Sequence, residues 1–303
     1  MVMKVMKEKT RKAVTFYSLV GPWFLVFLAL SLLPLCFGFY LSFTNYYGFN
    51  MDNLRLVGLH NYQLVFTDTE AMYAMYRTFV YAIVSVPLTT AISLLLALLL
   101  NGAIRGLGFF RTSFYLPSIM PAITTIFIFK QLLYSSNGGF LNMVLGWFGL
   151  PEVNWLGYDF CTASLILMSA WGAGGGLLIF MAGLKGIPAA LYEAASIDGA
   201  GSAQRFFRIT VPLITPVIFF NLVMGLISAF QVYMQPILLN GTQLLSHPLK
   251  PNYLYAVHAF QQIFGSQRFA YGMALLWVLF VIILLFSCAV FFTSKYWVYS
   301  ESD

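Results

Sequence analysis

The chain has 303 residues, of which 60% are hydrophobic and only 9% charged, with a formal net charge of +6 and a mean hydropathy of +0.81. Water-soluble domains carry about 25% charged residues, so a soluble globular fold is excluded. The basic residues sit mainly at the edges of apolar runs, which points to orientation in a membrane rather than to nucleic acid.

Crossing a hydrocarbon core about 30 Å thick takes about 20 apolar residues in a helix. Lipid offers no partner for backbone polar groups, so spanning elements are helices or a closed barrel. The runs here are continuous and not alternating: 24–33, 91–100 and 275–286 have no charge at all. That pattern predicts an all-α integral membrane protein.

Lys4, Lys7, Lys9, Arg11 and Lys12 open the chain, followed by an apolar run over 16–43. A secretory signal has a core of about 7–15 residues and a small-residue cleavage pattern. This run is longer and ends in Phe43-Thr44-Asn45-Tyr46, so an uncleaved first span is predicted. Pro22 and Pro34 inside it predict a kink or tilt. Further spans are expected at 76–100, 109–134, 161–184, 212–235 and 271–294, six in all. The expected organisation is a tail at 1–15, a six-helix domain at 16–296 and a tail at 297–303. Turn signals Asn137-Gly138-Gly139 and Asn240-Gly241 mark the connecting segments.

Six spans put both termini on one side. With them fall Arg105, Arg111, Lys185, Arg205, Arg208 and Lys295, whereas Asp52, Asp68, Glu70, Glu152 and Asp159 gather opposite. The excess of Lys and Arg assigns the first side to the cytoplasm. Cys36, Cys161 and Cys288 lie far apart in or beside apolar segments. They have no metal-ligand spacing, and an odd number does not complete a disulfide framework. No metal and no cofactor is expected.

Between spans four and five, residues 186–212 form a polar interruption. Pro188 suits a first helical turn, and Ala189, Ala190, Leu191, Ala194 and Ala195 are strong helix formers. Asp198-Gly199 ends that helix, glycine being free to turn left-handed. Ser202 is the expected cap of a second helix. Small Ala194 and Ala195 allow another backbone to approach closely. Glu193 presents an acid there, and a desolvated charge calls for a basic partner. An amphipathic helix resting on lipid headgroups favours Lys and Arg on its polar face, whereas this one offers Glu193 and Asp198.

The run Glu193-Ala194-Ala195, then Gly199, then Ile209 ahead of Val211-Pro212 resembles the EAA loop of permease subunits in bacterial ABC importers. The carbohydrate-uptake branch is nearest in pattern, through Leu116-Pro117-Ser118 to Pro121, Asn142, Trp155-Leu156, Ala182-Gly183-Leu184, Ile187-Pro188 and Trp297-Val298-Tyr299. Two features depart: Val211 replaces the usual Leu, and Leu239-Asn240-Gly241-Thr242-Gln243 stands where a Gly-Gly-Pro turn is common. The resemblance implies a type I importer transmembrane domain with Glu193, Ala194, Ala195 and Gly199 coupling to an ATPase. It also implies a second permease subunit, two ATPase subunits and an extracytoplasmic solute-binding protein as partners.

Along span five, Asn221, Ser228, Gln231 and Gln235 fall on one helical face with Gly225. Polar groups are costly against lipid, so the stripe is expected to face the bundle interior. It serves either as a path for a neutral hydroxylated solute or as interhelical hydrogen-bonding glue. Tyr81, Ser85, Thr89 and Ser93 make a second polar face on span two. Trp171 beside Gly172, Gly174, Gly175 and Gly176 is either a stacking platform or part of a small-residue seam. Lys130 is expected to snorkel from the end of span three.

An ion-coupled carrier needs intramembrane carboxylates or a comparable ion site, and all ten acidic residues fall outside the expected spans. An ATP-binding Gly-x4-Gly-Lys-Ser/Thr run is missing, as are His-Glu-x-x-His and Gly-x-Ser-x-Gly. Transport driven by a separate ATPase is the expected function, with an ion-coupled carrier of a neutral solute as the alternative.

Overall fold

A computed structural model of the chain describes residues 2–48, 51–102, 105–134, 139–241 and 243–299. The turn signal at Asn137 and Gly138, and Thr242 in the departing loop, lie outside them. Among the described residues there is no strand, only an isolated bridge between Thr44 and Leu56.

Four helices are long and apolar enough to cross a membrane unbroken: span one Lys12–Leu41, span two Thr69–Leu99, span five Ser202–Phe230 and span six Phe269–Ser294. Two bent pairs supply spans three and four. Leu107–Ile119 and Ala122–Leu132 meet at 101°, and Cys161–Trp171 and Gly174–Gly186 meet at 43°. The third span, expected over 109–134, is thus a broken one. Pro121 explains the break: proline has no N–H to donate and drives its predecessor, Met120 at ψ 141°, out of the helical region, whereas the helix continues through Pro117.

Other boundaries move as well. Span two starts at Thr69 rather than 76, because the Asp68 carboxylate caps it, accepting from Glu70 N at 2.9 Å and Ala71 N at 3.3 Å. Glu70 thus belongs to the first turn of a spanning helix, at its end, and pairs there with Lys250. Span five begins at Ser202 and stops at Phe230, so the interval 212–235 is shifted. Its cap is Gly201, with Ser202 already helical. At the N-terminus, the expected tail is helical from Val2, and that helix runs into span one.

Prolines Pro34 and Pro212 each follow a widened, π-helical turn, Leu28–Leu32 and Phe206–Thr210. The extra residue in such a turn makes room for the ring that would otherwise strike the carbonyl one turn back. Both helices continue through their prolines.

Two apolar clusters hold the bundle. The larger joins Tyr81, Ile126, Phe129, Leu165, Phe230, Tyr255 and Leu275. The smaller, Ala97, Leu100, Leu177, Phe180, Leu184 and Ile214, joins spans two, four and five toward the Glu193 end. Span one stands apart, with 6% of its apolar window buried within the chain.

The segment 236–270 is not a loose connection. Tyr255–Phe260 folds back into the bundle, with Tyr255, Ala256, Val257, His258 and Ala259 all buried. Thr78 Oγ1 accepts from Tyr255 N at 2.8 Å, tying this short helix to span two.

Candidate functional site

The break in span four opens the centre of the bundle. Gly172 ends the first half-helix and Ala173 leads into the second, so backbone groups lose their intrahelical partners there. Ser93 of span two donates to Ala173 O at 2.6 Å, a carbonyl that also accepts from Gly176 N at 3.2 Å, and so ties span two to the break. Gly176 leaves room for its neighbours: a Cβ there would lie 2.7 Å from Ser93 Oγ and 2.8 Å from Asn221 Oδ1 and would push both side chains aside. Spans two, four and five therefore meet closely at this point.

Beside the meeting point lies a cleft of about 400 Å³. Its polar walls are Tyr81, Ser85, Thr89, Thr90 and Ser93 from span two, Ser169 from span four, Asn221 and Ser228 from span five, and Gln235. A second lobe of about 530 Å³ shares Tyr81, Ser169, Ser228 and Gln235 and extends to Pro117, Ser118 and Thr125 at the break in span three. No lining residue of either lobe is Asp, Glu, Lys, Arg or His.

The hydroxyls and amide are mostly spent on their own helices. Asn221 Nδ2 donates to Val217 O at 2.9 Å, Ser228 Oγ to Met224 O at 2.8 Å, Thr89 Oγ1 to Ser85 O at 2.9 Å and Ser169 Oγ to Ile166 O at 2.7 Å. These bonds hold polar atoms at the wall without tying one span to another.

Of the residues expected along the path, Asn221, Ser228 and Gln235 line the cleft together. Gln231 does not: it is the exposed C-cap of span five. Gln235 reaches the cleft from a separate short helix, Met234–Asn240, so helical spacing beyond Phe230 has no meaning. Trp171 also lies off the lining, packed edge-on against Phe129 at 5.3 Å between centroids. Gly172, Gly175 and Gly176 do line it. The period-four run on span two signals half of the wall, whereas Ser169 carries no sequence signal of its own.

The coupling segment projects from the other end. Ala189–Ile197 is a helix with Pro188 as N-cap, and none of its residues is buried. Its stop is a Schellman turn: Gly199 takes φ +75°, Ala200 N donates to Ala195 O at 2.9 Å and Gly199 N to Ser196 O at 3.2 Å. Glu193 and Ala194 are exposed, and Ile197 is 87% exposed. The helix thus leaves an acid, small residues and an apolar tip uncovered by the rest of this chain.

The opposite end is interlocked. Asp68 Oδ2 accepts from Tyr271 OH at 2.6 Å and lies 3.4 Å from His258 Nε2, while His258 Nδ1 is 3.0 Å from Tyr253 OH. Burial lowers the His258 pKa from its usual 6.5, against the pull of Asp68. Burial works to raise Asp68, but hydrogen bonds from Tyr271 and Ala71 N outweigh it and hold its carboxyl low. Burial and the nearby carboxylates push Tyr253 up to about 12. Lys130, in the last turn of its helix, extends to the connecting loop: its Nζ donates to Gly241 O at 2.6 Å and pins the loop that departs from the common turn. Asn240 Nδ2 donates to Leu156 O at 2.7 Å in the same loop. Asn142 is also structural, accepting from Trp155 Nε1 at 2.9 Å and from Val153 N at 3.1 Å.

A broken-helix bundle around a neutral polar cleft, with an exposed acidic helix at one end, is the build of a transport permease. The chain belongs to the family of binding-protein-dependent transport system inner membrane components, whose model matches residues 71–299. It is similar to the probable ABC transporter permease protein YesP of Bacillus subtilis, at 38% identity over 94% of this chain and 92% of that one. The trehalose/maltose transport system permease protein MalF of Thermococcus litoralis is 34% identical over 75% and 77% of the two chains. The arabinooligosaccharides transport system permease protein AraP of Halalkalibacterium halodurans is 30% identical over 77% and 76%. The fold matches a crystal structure of a bacterial ABC transporter for alginate import with a TM-score of 0.81, covering 96% of this chain and 98% of that one at 22% identity.

The chain is therefore a multi-pass inner-membrane permease subunit of an ABC importer, and ATP hydrolysis belongs to a separate subunit. The ion-coupled carrier is set aside.

Proposed function

We propose that this permease moves a neutral sugar or oligosaccharide, delivered by an extracytoplasmic binding protein, through the cleft between spans two, four and five. The observation that carries this reading is a wall of hydroxyl and amide groups without a charged residue, most of them bonded within their own helices. Interhelical glue would direct those donors across to a neighbouring span; Asn221, Ser228, Thr89 and Ser169 instead donate within their own helices, while Ser93 donates both to Thr89 O and across to Ala173 O. Sugar hydroxyls both donate and accept, which suits such a wall. The relatives named for trehalose/maltose and arabinooligosaccharides support the solute class.

In this reading both termini and the Glu193 helix face the cytoplasm, where Lys and Arg concentrate. The Asp68 end faces the binding protein. A second permease subunit covers span one and completes the path, and an ATPase pair grips Glu193, Ala194, Ala195 and Gly199. Nucleotide-driven closure of that pair then shifts the equilibrium between inward-open and outward-open bundles.

The test is ATP-dependent uptake of labelled maltose, trehalose and arabinose oligomers by the reconstituted complex with its binding protein. At least one is expected to enter. Asn221→Leu combined with Ser228→Ala should cut that uptake about tenfold while assembly is spared, as loss of desolvated hydrogen bonds implies. Unchanged kinetics in the variant, or uptake confined to charged solutes, contradicts the reading.

A further inference from the structure

The coupling helix has to pass force to the bundle, yet Ala189–Ile197 buries no residue against it. Force in packed proteins travels through interdigitated side chains or through hydrogen bonds. Two side-chain bonds leave this helix among the described residues. Arg205 Nη1 donates to Ser196 Oγ at 2.9 Å, but that pair is exposed, where water competes. The other joins the hydroxyls of Tyr192 and Thr210 at 2.8 Å, with Thr210 only 6% exposed.

Thr210 has a particular place. It is the last residue of the π-helical turn Phe206–Thr210 and leads directly into Val211–Phe230. Asn221 lies on the same unbroken helix, which at 1.5 Å per residue places it about 16 Å beyond Thr210. A pull on Thr210 therefore acts on the rod that carries the cleft wall. Tyr192 is adjacent to Glu193, so the side chain facing the partner and the side chain facing span five sit on consecutive residues.

We infer that Tyr192 is a positioning residue for coupling: its hydroxyl ties the docking helix to Thr210 and passes the ATPase stroke to span five. This deepens the proposed function, since it gives the route from Glu193 to the cleft. Tyr192 adds nothing to the docking face in this account. Its removal leaves the ATPase attached and the bundle unmoved.

The experiment follows movement of span five without needing the solute. Ser228→Cys is introduced with Cys36, Cys161 and Cys288 replaced by alanine, in the complex with its second permease and ATPase subunits. The probe is a polar maleimide, and its rate of reaction is compared without nucleotide and after trapping with ATP and vanadate. With Tyr192 present, trapping should change the rate. In Tyr192→Phe the change should shrink about three- to tenfold, the size one hydrogen bond supports, with ATPase co-purification retained. Thr210→Val should do the same, and the double variant should fall no further, because both substitutions cut one bond. An undiminished response in Tyr192→Phe overturns the inference. So do losses that multiply in the double variant, or a loss that tracks release of the ATPase. If the Tyr192 protein itself shows no response to trapping, the cleft assignment fails first and the tie falls with it.

Discussion

The two ends of this bundle are built on different rules. At the Asp68 end, Asp68, Tyr271, His258 and Tyr253 form one connected group, and Arg77 Nε and Nη2 clamp Pro251 O and Thr162 Oγ1, each at 2.8 Å. Asn252 Nδ2 adds a buried bond to Cys161 O at 2.9 Å. At the Glu193 end, Ala189–Ile197 buries nothing and, among the described residues, makes two side-chain bonds beyond itself. Span five is further held there by Tyr299 N donating to Thr215 Oγ1 at 2.8 Å. The contrast fits the proposed cycle, in which the Asp68 end stays assembled and the Glu193 end is grasped and moved.

Changes at the loose end should disable work without unfolding, and the largest effect belongs there. Glu193→Lys should weaken co-purification of the ATPase about a hundredfold, the scale of an unpaired charge at a desolvated contact. Its melting temperature in detergent should match the parent. Equal ATPase recovery from both proteins would break the contrast.

A change at the tight end should do the reverse. Arg77→Met removes the donors to Pro251 O and Thr162 and should cost about 2 kcal/mol of stability, read as a lower melting temperature with ATPase binding intact. An unshifted melting curve would mean that the interlocked end is no more rigid than the other.

The smallest expected effect is in pH. Burial lowers the folded-state pKa of His258 below 6.5, so its stabilising share is complete above that value and is lost as pH falls below it. Asp68 and Glu70 attract the charged form and Arg268 opposes it. Asp68, also lowered, acts in the same direction at more acid pH. The melting temperature should therefore drop on acidification, and His258→Asn should flatten that slope between neutral pH and the carboxylate range. A slope that is identical in the variant would assign the acid sensitivity elsewhere.

How far the sequence could be read follows the same divide. The coupling helix was legible almost residue by residue, since Pro188, the alanines and Asp198-Gly199 act locally and need no tertiary help. Span six was equally plain, with a charge-free run that became Phe269–Ser294. The Asp68 end was not legible. Tyr255–Phe260 is mostly apolar without period, and its burial rests on partners distant in sequence, the apolar cluster with spans two and six and the bond to Thr78. The break in span three had Pro121 in view, but a proline in the sequence does not give the size of the 101° turn. Along the cleft, spacing grouped Asn221 with Ser228 correctly in space and then overran the helix end at Phe230, carrying Gln231 along. Periodicity is informative only as far as the helix that imposes it.

The central claim is that an external motor grips this permease at the Glu193 helix on the cytoplasmic side. A single cysteine at Ala194, in the chain with Cys36, Cys161 and Cys288 replaced, tests it with a membrane-impermeant maleimide. The expected result is labelling in inside-out vesicles stripped of ATPase, protection when the ATPase is restored, and no labelling of intact right-side-out membranes. Labelling from the outer face, or labelling indifferent to the ATPase, would contradict it.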